Sequence, residues 1–145
     1  MKKKLYKGFE PLIYLDSNVF IYAALNSEKL GEKARSLMAR VQKGDIKAIT
    51  CSLTFDELVW SVKKYRTIDH AVRVGEAFLS MPSLAIKAVD VDVLSLALDL
   101  IRKYSLHPRD SIHASSAITC QAFEIVSTDV HFDRVKELKR VHLQP

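Results

Sequence analysis

Cysteine, glycine and proline are scarce in this chain: two, four and four among 145 residues. Cys51 and Cys120 lie far apart with no Cys-x-x-Cys, which excludes a disulfide framework. Both sit in apolar surroundings and are expected to be buried and reduced. There is no repeat, low-complexity tract or linker. The longest apolar run, Val19 to Leu25, is far short of a membrane span. Lys2, Lys3 and Lys4 resemble the start of a secretory leader, but Lys7, Gly8, Glu10 and Pro11 interrupt any apolar core behind them. The expectation is therefore a cytoplasmic protein, without a membrane partner, that carries a basic N-terminal segment over residues 1–11. What remains is 48% hydrophobic and 27% charged, the balance of one globular domain over 1–145. The net charge of +5 is compatible with a polyanionic partner.

The apolar residues alternate between two periodicities. Leu12 to Leu15 reads as a short buried strand that stops on Asp16, and a run at helical spacing follows from Val19. Glu28–Lys43 is an amphipathic helix closed by Gly44-Asp45, and Ile46–Cys51 is a second buried strand. Helices are expected over Ser52–Tyr65 and Thr67–Met81, then a strand at Leu84–Val89. A further helix, capped by Asp90 or Asp92, runs to Tyr104. Pro108 is placed at the first turn of a helix spanning Arg109–Gln121. Glu124–Ser127 and Arg140–Leu143 complete the strands, with one helical turn at Val130–Arg134 between them. Such alternation predicts an α/β fold with a mostly parallel sheet covered on both faces.

Carboxylates recur at one kind of place in this pattern. Asp16 ends the first strand, Glu57 lies early in the helix after the second, Asp110 opens the late helix, and Asp129 follows Ser127. Local roles explain each alone: Asp16 or Ser17 as a helix cap, Thr54 and Glu57 as a capping box, Asp110 at a helix dipole, Asp129 as a turn residue. Those roles do not predict that all four fall where a parallel sheet gathers its ligand-binding edge.

Four stretches, Tyr14-Leu15-Asp16-Ser17-Asn18-Val19-Phe20, Phe55-Asp56-Glu57-Leu58, Pro108-Arg109-Asp110-Ser111-Ile112-His113-Ala114 and Val126-Ser127-Thr128-Asp129-Val130-His131-Phe132-Asp133, occur in the order and spacing of a PIN domain. Over essentially its whole length the chain most resembles the VapC-type toxin ribonucleases. That resemblance implies a three-layer α/β/α fold, a Mg²⁺ or Mn²⁺ site and cleavage of RNA. It carries the family's acidic quartet onto Asp16, Glu57, Asp110 and Asp129, and an additional acid onto Asp133. It further implies a homodimer, and an antitoxin whose tail would lie in the cleft and bring an arginine to the acids. The apolar stripe between Thr67 and Met81 is a candidate dimer surface, although core packing explains the same stripe.

The chemistry wants these residue types. Converging carboxylates repel, and a divalent cation relieves that repulsion while activating a water beside a phosphodiester. Oxygen-only ligands favour Mg²⁺ or Mn²⁺ over zinc. Ser17, Asn18 and Thr128 are placed to hold the acids or a water, a placement that local turn and cap bonds explain equally well; Arg109 could touch a phosphate, but a surface arginine describes it better. Lys63, Lys64 and Arg66, with Lys2 to Lys4, are candidates to follow an RNA backbone, although solvation alone explains most such lysines. His113 is expected packed or hydrogen-bonded beside the site. A zinc site joining His113, His131 and Cys120 has no recognised spacing to support it. A phospho-accepting receiver domain fits poorly, because no acid pair precedes Asp16. A non-toxin RNA-processing nuclease and a catalytically silent binding module are the remaining alternatives.

Overall fold

A computed structural model describes residues 11–143. All but Pro11 of the basic N-terminal segment therefore lies outside the described residues. The short apolar runs form strands β1 (Ile13–Leu15), β2 (Ala48–Cys51), β3 (Leu84–Lys87), β4 (Glu124–Val126) and β5 (Lys139–Val141). Between them lie helices α1 (Ser17–Leu25), α2 (Lys29–Gln42), α3 (Leu53–Tyr65), α4 (Ile68–Leu79), α5 (Val91–Tyr104) and α6 (Pro108–Thr119), with a 3-10 turn at Val130–Arg134. The strands order as β3-β2-β1-β4-β5, and every pair is parallel. The expected α/β sandwich is borne out, and its sheet is wholly parallel among the described residues.

Successive strand side chains point to opposite faces, so each strand feeds two cores. Leu15, Ala48 and Val126 pack on one face against Phe20, Met38, Leu58 and Phe78 of α1 to α4. Tyr14, Ile49, Cys51 and Ile125 pack on the other against Leu100, Ala114 and Ala117 of α5 and α6. This division makes the three layers. It also accounts for the burial of β1 and β2 without polar alternation, since helices cover both faces at the centre of the sheet.

Local chemistry sets the boundaries. Gly44, at φ +81, leaves α2 in a conformation that side chains rarely adopt. Thr67 and Asp90 cap α4 and α5, accepting from the amides of His70 and Val93. Proline occupies the first position of α6 itself, one residue earlier than expected. The last strand begins at Lys139, whose amide donates to the Phe123 carbonyl at 2.8 Å, rather than at Arg140. Cys51 is fully buried, whereas Cys120 is only half-buried and both are free thiols.

The sheet order fixes where chemistry can occur. Strands β1, β2 and β3 step outward in one direction, and β4 then returns to the other side of β1. The chain therefore leaves β1 and β4 in opposite directions and opens a crevice at their carboxyl ends.

Candidate active site

Leu15 pairs with Val126 at the end of β1 and β4, so Asp16 and Ser127 are the next residues on adjacent strands. Asp16 is buried at 5% exposure. It caps α1 by accepting the Ser17 amide at 2.7 Å, and its other oxygen accepts from the Ser127 hydroxyl at 2.6 Å. Asp16 caps α1 as expected, and its two bonds also fix its orientation at the crevice floor. Ser127, fully buried, also accepts from the Asp129 amide at 3.0 Å and from Asn18 Nδ2 at 3.1 Å. Asn18 Nδ2 donates to the Thr128 hydroxyl at 3.0 Å as well, and Thr128 meets the Tyr22 hydroxyl at 3.3 Å.

Glu57 reaches the same edge from α3. Its capping-box alternative does not form, because α3 begins at Leu53 with Ser52 at its cap position, which puts Thr54 inside the helix, where its hydroxyl meets that of Thr50 at 2.7 Å. Glu57 Oε1 lies 2.6 Å from Nε2 of His113, and Asp16 Oδ1 lies 3.6 Å from that nitrogen. His113 Nδ1 faces the Tyr14 hydroxyl at 2.7 Å and Cys51 Sγ at 3.6 Å. Burial pulls the His113 pKa down, but its bonds to Cys51 and Glu57 and the charge of Asp16 more than reverse this, raising it to about 10. The ring is an imidazolium inside the protein. It therefore donates from Nε2 to Glu57. Asp56, beside Glu57, is exposed.

Asp110 stands in the first turn of α6. Ligand atoms of Asp110, Asp129 and His131 lie within 4.8 Å of one another. His131 Nδ1 is 2.6 Å from Asp129 Oδ1, which also accepts the His131 amide at 2.9 Å. Burial, then the charges of Asp129 and Asp16, push the Asp110 carboxyl above its usual range. Burial likewise raises Asp16, against the opposing pull of His113 and Ser127. Asp110, Asp129 and Asp16 therefore share one electrostatic field, and Asp16 joins it to Glu57. The donor set of two carboxylates and an imidazole, with more acid alongside, suits a divalent cation. The Asn18 carbonyl oxygen is buried without a hydrogen-bond partner, while its amide nitrogen bonds Ser127 and Thr128 just before Asp129 in the chain.

The remaining expected residues fall elsewhere. Asp133 forms a two-bond contact with Arg140, at 2.8 and 3.0 Å, and lies outside the Asp110–Asp129–His131 group. Arg109 is exposed at the start of α6. Cys120 does not join His131. Sequence reasoning missed Ser127 as the hub of the site, and Arg140, whose buried side chain also donates to the Ser127 carbonyl at 3.3 Å. The only signal for either was position, at the end of one central strand and in the neighbouring edge strand.

A parallel sheet with acids gathered at its β1–β4 switch point defines a PIN-type α/β domain. The PIN domain family model matches residues 13–138, and the chain belongs to that family. No curated protein sequence matches the chain. Among solved structures it is similar to VapBC2 of Rickettsia felis bound to a promoter DNA fragment, at 20% identity and TM-score 0.71, covering 92% of this chain and 99% of that one. The sarcin–ricin-loop-cleaving toxin VapC20 of Mycobacterium tuberculosis matches at 12% identity and TM-score 0.72, covering 86% and 95%. DNA-bound VapBC of Salmonella typhimurium matches at 19% identity and TM-score 0.70, covering 93% and 100%. These likenesses establish the fold. No helix among the described residues is long and apolar enough to cross a membrane.

Proposed function

We propose that this chain is a divalent-metal-dependent endoribonuclease and the toxin of a toxin–antitoxin pair. The observation that carries the reading is the clustering of Asp16, Glu57, Asp110 and Asp129 at the switch point, with Asp16 raised by burial and by the charge of Glu57, and Asp110 by burial and the charges of Asp129 and Asp16. Crowded carboxylates without a bound cation are unfavourable, and a site built this way gains from binding one. Mg²⁺ or Mn²⁺ would be held by Asp110, Asp129 and Asp16, with Glu57 and His131 in support, and would supply an activated water and charge neutralisation at the phosphodiester.

The chain's own groups do the rest. The Ser127 hydroxyl and the Ser17 amide orient Asp16. The imidazolium of His113 fixes one oxygen of Glu57 and leaves the other for the crevice. Asn18 and Thr128 tie α1 to the segment after β4, holding the two walls in register. A cognate antitoxin fits the excess negative charge of the cleft if it presents an arginine. A homodimer is supported by the outer face of α4. There Ile68, Val72 and Leu79 are exposed, whereas Ala71, Gly75 and Phe78 of the same helix enter the core.

The test is incubation with a panel of structured and single-stranded RNAs in Mn²⁺, Mg²⁺ or EDTA, beside Asp16→Asn and Asp110→Asn. Defined fragments that vanish with EDTA and in both variants are expected. Intact RNA throughout, after removal of any bound inhibitor, would overturn the proposal.

A further inference from the structure

From the outer end of α3 we infer a stacking platform for unpaired RNA, made by Trp60 and Tyr65 around Lys64 and leading away from the acidic crevice. The inference rests on the nuclease reading and specifies how its substrate is held. Glu57, Trp60 and Lys64 follow one another at i, i+3 and i+7, so they share a helix face. Lys64 stands about 10 Å along the axis from Glu57, roughly the reach of three stacked nucleotides. Trp60 is 58% exposed and Tyr65 61%, the opposite of what burial of such large rings would favour. The Lys64 ammonium lies over both, 5.0 Å from the Trp60 ring and 5.2 Å from the Tyr65 ring.

Lys63 and Arg66 flank this pair, both exposed. Among the described residues none of the three cations is paired with a carboxylate. On its other side the platform is continuous with the site. Tyr65 and Arg66 line an open hollow with Ile21, Leu25 and Tyr22, and the Tyr22 hydroxyl meets Thr128 beside Asp129. An acidic crevice repels RNA, so cations close to it are needed to hold the backbone. Flat exposed rings between those cations favour bases that are free to unstack. A duplex hides its base faces and would meet only the charges.

Trp60 is the sole tryptophan, so its emission reports the platform directly. The full chain, in EDTA to prevent turnover, is titrated with a fluorescein-labelled single-stranded RNA of about twelve nucleotides, within the span of known single-strand sites. Trp60 quenching and RNA anisotropy should share one midpoint, and the same sequence as a duplex should bind at least tenfold more weakly. Trp60→Ala should weaken binding roughly tenfold and Trp60→Phe far less. Lys64→Ala should reduce the slope of log affinity against log salt by about 0.7. RNA that binds and is cleaved while Trp60 emission and the Trp60→Ala affinity stay unchanged would overturn the platform alone. Emission that tracks protein concentration, or responds only to an arginine-bearing peptide, would assign the surface to a second copy or to a protein partner and equally overturn it. RNA that is neither bound nor cleaved would remove the nuclease reading first, and the platform with it.

Discussion

Removing the His113 ring should destabilise the protein more than any other single side-chain change at the site. His113 is 1% exposed, and its nitrogens meet Glu57 at 2.6 Å and Tyr14 at 2.7 Å. His113→Ala strands the Glu57 carboxylate in a half-buried position and leaves Tyr14 and Cys51 facing a cavity. Removing one member of a buried charge pair costs about 3–5 kcal/mol, and the partial exposure of Glu57 places this case near 3 kcal/mol. For a chain of this length that loss lowers Tm by about 10 °C. The pH dependence supplies a second readout. A histidine raised to about 10 contributes stability that is complete below its unfolded value of 6.5 and is lost as pH climbs through about 10. The metal-free protein should therefore weaken from about pH 7 to pH 10 by more than His113→Gln does over the same window. Thermal melts followed by circular dichroism in EDTA measure both. A Tm for His113→Ala within about 2 °C of the parent, or parallel pH curves for the parent and His113→Gln, would refute the argument.

Other expectations follow from the same contacts. Ser127→Ala leaves Asp16, Asn18 and the Asp129 amide without a shared partner, and should cost about 2–3 kcal/mol in urea unfolding. Because Asp16 and Asp110 hold their protons more tightly than free carboxylates, Mn²⁺ must displace them. Calorimetry in buffers of different ionisation heat should then show proton release that grows as pH falls from 7 towards 5. Asp129→Asn should weaken Mn²⁺ binding at least tenfold, because Asp129 stands in the three-residue cluster. Asp133→Asn should change it by less than about twofold, since Arg140 already neutralises that carboxylate.

The fold was legible because both sheet faces are covered. Strands such as Ala48–Cys51 are then buried at every position, and their mostly apolar sequence stands out against the helical spacing around them. Asp16 was legible because an acid stopped such a strand. Its local role as a cap and its place in the crevice proved to be one arrangement, since the crevice lies where α1 begins. Ser127 was not legible: a serine after a strand looks like any turn residue until the β1–β4 pairing sets it beside Asp16. His131 was noticed only as a partner for Cys120, yet the turn at Val130–Arg134 folds it back onto Asp129 and leaves the cysteine aside. Glu57 could not be told from a capping glutamate by spacing. The distinction lies in where the helix starts: Ser52 holds the cap position, so Thr54 lies inside α3 and its hydroxyl bonds back to Thr50 of β2.

The four acids do not carry equal burdens. Asp16 and Glu57 face His113, whose charge opposes the effect of burial on Asp16 without cancelling it. Among the described residues Asp110 and Asp129 form no ion pair with a comparably buried cation. Arg140, whose charge is felt by Asp129, directs its bonds to Asp133 at 2.8 and 3.0 Å, and His131 is half-exposed. The unsatisfied half of the crevice is therefore the α6 and β4 side, and a divalent cation gains most by seating there. On the α3 side, His113 holds Glu57 Oε1 at 2.6 Å, so that wall of the crevice is ordered by the fold's own contacts.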